Sequence, residues 1–493
     1  MMNTKLASIR GSDLTQNGLA PSRHPLDVQI WRDGRNVLFR ELGPQKQLGR
    51  TNLVALGGAG VVRGMGALQD SSGTQRLFLG DEDTLYMWDT STLTAIKTGL
   101  SGATNETSTA PATAWSIERF GDWAVATNGV DAPQIWKTGS SSSNLSGLTF
   151  TRAQIFLKRA QFILAFNTNN GALPGAISFE WCDEDDPEDW TPTAVNAAGN
   201  LTIRDMDGEI KAAVNFGPNI AVAGKDSLYL VPFVGSPVYF AYNPALTGIG
   251  AVGKMAMVQA GQLLFGMSRA GIWRSDGVSY DYIDTPDVRA DLRAVMDTSQ
   301  LSKTVAWHDD ENDMVMFSIP TTAASGEPGI TAGYNYKTGA WTLFDWAVSG
   351  AVPQQGVFDQ PYTAISRDVV KLNSGVDAHT SALTAYVQTA PMDFGDANAI
   401  KSLDSISVEI RRLAGTARIR VGSQMNLDDA IGWSDYITID DGFETVYLRG
   451  AAGSLSSGRF FTLEINSNAV GDDWAASGFD IYGRVTGRNA RNG

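Results

Sequence analysis

Along most of the chain, short apolar runs alternate with polar positions at a period of two and are cut off by Gly, Asp or Asn. Such runs predict half-buried β-strands joined by tight turns. From about residue 53 a unit recurs: an apolar strand, a polar turn, then a second strand carrying an aromatic. LFLGDEDTLYMWD ends near Trp88, WAVATNGVDAPQIWK near Trp136, and FILAFNTNNGALPGAISFEWC near Trp181. IAVAGKDSLYLVPF carries Tyr229 and LLFGMSRAGIWRSDG carries Trp273, so successive aromatics stand 48, 45, 48 and 44 residues apart.

Repeats of about 40 to 50 residues are the spacing of β-propeller blades. One small antiparallel sheet cannot cover both of its faces, whereas blades stacked around an axis bury them and leave only short edges. The expected fold is therefore mostly β: a propeller of about six to seven blades over residues 53–380. Unrelated hairpins in a sandwich or solenoid are the competing arrangement.

Two stretches depart from this pattern. Residues 1–52 read as an irregular N-terminal segment, with one or two strands around Gly34 formed from Val28, Ile30, Val37, Leu38 and Phe39. In DTPDVRADLRAVMDTSQLS, Thr285 can N-cap and Pro286 suits a first helical turn. Val288, Leu292 and Val295 then share one face, predicting a short amphipathic helix near 286–300. Beyond residue 380, seven strand-like runs predict an antiparallel β-sandwich over 381–484. There Ile406, Val408 and Ile410 alternate with Ser407, Glu409 and Arg411, giving one buried and one wet face. Residues 485–493 read as a mobile basic tail.

Composition narrows the function classes. The 493 residues exceed one ordinary core, and 43% hydrophobic with 18% charged residues is globular rather than disordered. A net charge of -15 repels phosphate backbones, so sequence reading of DNA is not expected. The same acidity serves solubility, or a surface past which nucleic acid slides without sticking. Cys182 is the only cysteine, which excludes an intrachain disulfide and a cysteine metal site. MMNTKLASIRGSD has no apolar stretch of secretory type, and no run reaches a membrane-spanning length. Folding in a cytoplasm, with no membrane insertion, is expected.

The search for chemistry finds no phosphate-cradling GxxxxGK[ST], HExxH or GxSxG, and only His24, His308 and His379, far apart. His308, beside a turn of acids, reads as solvated or capping. Asp183, Glu184, Asp185, Asp186, Glu188 and Asp189, framed by Trp181 and Trp190, form the densest charged cluster. Its spacing matches no EF-hand, so a protein contact or a plain solvated loop is expected rather than calcium. DMDGE at 205–209 also fails that pattern. SDGVSY, from Ser275 to Tyr280, resembles the Asp-box turn of sialidase-like propellers, where the Asp ties a hairpin. No catalytic, cofactor-binding or metal residue is assigned, and the chain is not expected to be an enzyme.

These pieces together resemble the tail-nozzle, or packaged-DNA stabilisation, proteins of short-tailed bacteriophages. DVQIWRDGRNVLFRELGPQKQLGR is similar to that family's opening, where an Asn and a Phe (Asn36 and Phe39) lead into a Gly and basic segment (Gly43, Lys46, Gly49). Where the family often has Arg before that last glycine, this chain has Leu48. From 284 to 346, a short helix, AWHDDENDMVMFSIP, a loop and YNYKTGAWT follow in the order of the family's late blades. The resemblance implies a structural virion protein: a ring of six copies below the head–tail connector that extends the DNA channel and helps retain the packaged genome. It implies as partners further copies of the chain, the connector or adaptor, tail fibres or a needle, and passing double-stranded DNA. Two other readings remain open at this point: a carbohydrate-active propeller enzyme of a tail, and a non-viral propeller scaffold for protein partners.

Overall fold

The computed structural model describes residues 4–10, 18–21, 23–24, 30–57, 60–101, 114–352, 361–440, 443–447 and 457–488. The chain is mostly β, folded into many small antiparallel sheets.

Seven of these sheets follow one another, and we number them I to VII. Their first strands are Gly64–Gln69, Ser116–Phe120, Ala153–Arg159, Ala212–Phe216, Met257–Ala260, Val305–Asp309 and Gly350–Val352. Each first strand touches that of the next sheet, and the first strand of sheet VII touches that of sheet I, which closes a cycle. Second strands lie between neighbouring sheets and are therefore apolar on both faces. Phe162–Thr168 and Met314–Pro320 are buried at every position. The spaced aromatics all fall on third strands: Trp88, Trp136, Trp181, Tyr229 and Trp273.

The hairpin between first and second strands has one geometry in sheets II to V. Phe120 pairs with Trp123, Arg159 with Phe162, Phe216 with Asn219, and Ala260 with Leu263, leaving a two-residue loop each time. The first loop residue has φ of 58° at Gly121, 50° at Ala160, 54° at Gly217 and 57° at Gly261. Glycine carries that left-handed backbone without cost, and sheet III alone places an alanine there.

Sheet VII takes its fourth strand from the other end of the chain. Arg50–Ala55 pairs antiparallel with Asp368–Leu372. The stretch expected to be irregular over 1–52 is thus strand-bearing, and its other strands build a second module. There Thr4–Arg10 and Gly43–Lys46 pair with Asp473–Arg488, Val37–Arg40 pairs with Gly43–Lys46, and Trp31–Arg35 pairs with Ala385–Thr389. The module has a seven-stranded and a six-stranded antiparallel sheet, and residues of both share one core with Trp31, Trp341 and Trp474. The seven strand-like runs beyond 380 are all strands. Ile406, Val408 and Ile410 are buried as the alternation predicts, while Ser407 is buried too because it meets Thr445 across the sheet at 2.9 Å. Val485–Arg488 continue the strand Asp473–Arg488 rather than a tail; 489–493 lie outside the described residues. Val28 also lies outside them.

The helix is shorter than the pattern predicts, Arg289–Val295. Thr285 does not cap it: the Asp284 carbonyl accepts the N–H groups of Val288 and Arg289, and the Asp284 carboxylate holds the Arg289 guanidinium at 2.6 Å. Val288 and Leu292 are buried, but Val295 is exposed. Among the described residues no helix is long and apolar enough to cross a membrane.

Candidate functional site

Because the first strands touch in a cycle, they enclose a cavity of about 570 Å³ on the axis. Every sheet contributes to its wall: Met65, Ile117, Leu157, Val214, Val258, Ala306 and Ala351 supply apolar surface from sheets I to VII in turn. Four titratable groups interrupt that surface, Glu118, Lys254, His308 and Asp310. Burial pushes the Glu118 carboxyl up to about 8, against which the Lys158 amide and ammonium act only weakly. Burial pulls Lys254 down to about 7, helped by the Arg152 charge. Both side chains remain partly reachable by solvent through the cavity.

His308 is half-buried, its Nε2 lying 3.2 Å from the Tyr336 hydroxyl and 3.9 Å from Asp310. Burial lowers its pKa, opposed by Asp310, Asp309 and Asp313. The same surroundings push Tyr336 up to about 12. A solvated or capping role is therefore replaced by a place in the cavity wall. The lining holds two carboxyl groups of unlike surroundings, a half-buried Glu118 and an exposed Asp310. No group of His, Cys, Asp and Glu side chains suited to a metal occurs among the described residues.

The acidic loop lies elsewhere, between the third and fourth strands of sheet III, Ser178–Trp181 and Gly199–Thr202. Three of its six carboxylates hold the loop itself. Asp183 accepts the N–H groups of Glu184 at 2.8 Å and Ala197 at 2.6 Å, and Asp186 accepts that of Glu188 at 2.9 Å. Asp189 takes the Thr191 amide at 3.1 Å and the Asn196 side chain at 3.0 Å. Glu188 pairs with Lys137 and accepts from Ser146, which holds its carboxyl below the usual range. Glu184 and Asp185 face an open recess shared with Val195, Pro237 and Tyr239. The loop and the axial cavity share no lining residue.

Two other motifs resolve as local structure. Asp276 in SDGVSY accepts the amides of Val278 at 2.9 Å and Ser279 at 2.7 Å, tying the hairpin between the last two strands of sheet V. Those donors hold its carboxyl below the ordinary range. In DMDGE, Glu209 pairs with Lys211 at one mouth of the axial cavity. The sequence carried a signal for this mouth that needs the repeat register to be seen: Arg63, Arg152 and Lys211 each immediately precede a first strand.

No protein-family model matches the chain, and no curated protein matches it. Solved structures with partial likeness include PorZ, a bacterial surface component of the type-IX secretion system of Porphyromonas gingivalis. It has a TM-score of 0.37 and 9% identity over 91% of this chain, which spans 53% of that one. A protein of unknown function from Desulfotomaculum acetoxidans has a TM-score of 0.34 and 10% identity, covering 59% of this chain and 90% of its own. A glycoside hydrolase family 43 arabinoxylan arabinofuranohydrolase from Bacillus subtilis has a TM-score of 0.24 and 9% identity, covering 87% and 96%. None reaches 0.5, so the fold is argued from strand pairing alone.

Proposed function

We propose that sheets I to VII are the seven blades of a β-propeller, that the second module is a β-sandwich, and that the protein is a structural building block of a phage tail ring. The observation that carries this reading is double closure by the chain ends. Arg50–Ala55 completes the last sheet, and strands from both ends interleave in both sheets of the second module. Pulling either end must shear long antiparallel ladders, a construction suited to bearing load. The acidity of the chain fits a wall past which DNA moves, since few cations mean little counterion release on contact. In this role the protein packs as six copies against the head–tail connector and the fibres or needle, and adds no chemistry of its own.

The test is the assembly state of the purified chain by analytical ultracentrifugation and electron microscopy, with and without connector protein. A closed ring of fixed copy number is expected. A monomer at every concentration that never joins a connector would refute the reading.

A specific observation favours one second reading, a carbohydrate-active propeller. Glu118, held near 8, has the proton a general acid needs, and Asp310 lines the same cavity in a solvated setting. Sugar release from a tail-relevant glycan, lost in both Glu118→Gln and Asp310→Asn, is its expected signature. Inertness on a broad glycan panel removes it.

A further inference from the structure

The chain is acidic overall, yet five of its 38 Lys and Arg residues gather at one mouth of the axial cavity. Arg63, Arg152 and Lys211 stand immediately before the first strands of sheets I, III and IV, and Lys254 and Lys303 lie within three residues of those of sheets V and VI. They meet in space as well as in register. Lys211 and Lys254 line one recess together with Gln154, Asn167 and Ser302, and Arg152 stands at its rim, where its guanidinium and the Gln154 side chain donate to the same Gly129 carbonyl at 3.4 and 3.3 Å. Arg63 and Lys303 line an adjoining recess and share the Glu327 carboxylate, each at 2.8 Å. Glu209 pairs with Lys211 and Glu82 lies 3.5 Å from Arg63.

Lys254 is the least compensated of the five. Its ammonium donates to the Ala114 carbonyl at 2.8 Å, and among the described residues no carboxylate lies within ion-pair distance of it. It also belongs to the walls of both the recess and the axial cavity. A desolvated cation beside a second cation is costly unless an anion joins them.

We propose that this mouth binds a tetrahedral oxyanion of the phosphate class, with Lys254 and Arg152 as its charged donors and the axial cavity receiving whatever the anion is attached to. An ammonium and a guanidinium together supply the charge-assisted hydrogen bonds that such an anion needs. Glu209 sets the edge of the site and repels an anion that strays toward Lys211.

The experiment is isothermal titration of the full chain with inorganic phosphate, sulfate and a sugar phosphate at constant ionic strength. Saturable binding of at least one is expected, weakened about tenfold in Lys254→Met, as fits the loss of one charge-assisted hydrogen bond. Lys254→Arg should retain binding, and Glu209→Gln should tighten it. The tighter of inorganic phosphate and sugar phosphate names the source of the group. The melting temperature of Lys254→Met without anion should equal or exceed that of the parent, which separates lost binding from lost folding. Absence of saturable heat with all three anions, or equal binding by parent and Lys254→Met, overturns the proposal.

Discussion

Asn36 offers the sharpest test of how the N-terminal segment locks the molecule. It is fully buried, with a left-handed φ of 59°. Its amide nitrogen donates to Asp345 Oδ1 and to the Thr384 carbonyl, both at 2.7 Å, while its side-chain oxygen accepts the Asp345 N–H at 3.3 Å. Its backbone donates to Leu343 and accepts from Gln47. This one residue therefore ties the N-terminal segment to the last strand of sheet VI through its backbone, and to Asp345 and Thr384, at the ends of that strand and of Ala385–Thr389, through its side chain. Asn36→Ala removes three hydrogen bonds, whose partners Asp345 and Thr384 are exposed and regain water, so each is worth about 0.5–1 kcal/mol, and it gives up the tolerance of asparagine for left-handed backbone for up to about 1 kcal/mol more. A loss of about 3 kcal/mol follows.

Two companion substitutions separate those contributions. Asn36→Gly keeps the backbone free and loses only the hydrogen bonds, so it should be milder than alanine by about 1 kcal/mol. Asn36→Asp keeps shape and φ but turns an acceptor toward the Asp345 carboxylate and the Thr384 carbonyl. It should be the worst of the three at neutral pH and recover as the pH falls. Urea unfolding followed by the fluorescence of the 13 tryptophans measures all four proteins. The reasoning fails if Asn36→Ala lies within 0.5 kcal/mol of the parent, roughly the scatter of ordinary surface substitutions, or if glycine is no milder than alanine.

Further outcomes are expected elsewhere in the fold. Ala160→Gly should stabilise by up to about 1 kcal/mol, since sheets II, IV and V already place glycine at that left-handed position; a lower urea midpoint would contradict this. Gly266→Ala puts a β-carbon 2.3 Å from the Trp273 ring beneath buried strands, and soluble yield should fall sharply with at least about 2 kcal/mol lost. Glu118 has a folded value near 8 against 4.5 in the unfolded chain, so the folded state keeps a proton that the unfolded state releases. Its stabilising contribution is complete below pH 4.5 and is lost as the pH rises through about 8, and Glu118→Gln should flatten that slope in a series of urea midpoints. An unchanged slope in the variant would sink the assignment. Cys182 is buried, accepts the Ile163 amide, and is pushed up to about 12, so maleimide should label it only after unfolding.

What was legible from sequence follows from how local each feature is. The aromatic spacing located the third strands because each small sheet repeats one burial problem within its own residues. Arg50–Ala55 was opaque because its partner strand begins at Asp368 and nothing nearby marks it as a closing strand. Gly43–Lys46 hides further, as a Gly-Pro pair reads as a turn and its partner Ala475 is more than 400 residues away. The acidic loop was visible as composition, but composition does not reveal that Asp183, Asp186 and Asp189, half of its carboxylates, are spent on the loop's own amides.

The axial cavity is the opposite case. No segment of the chain contains it, since its wall takes a few positions from each of seven strands between Met65 and Ala351. Glu118 and Lys254 look like ordinary solvated charges in SIERF and GAVGKMAM, and only ring closure turns them inward. That same closure makes their burial costly, and a fold held shut at both chain ends has the means to bear such a cost. Charges kept at the axis of a closed cycle of sheets are therefore where binding chemistry is to be sought, and the anion titration with Lys254→Met probes that place directly.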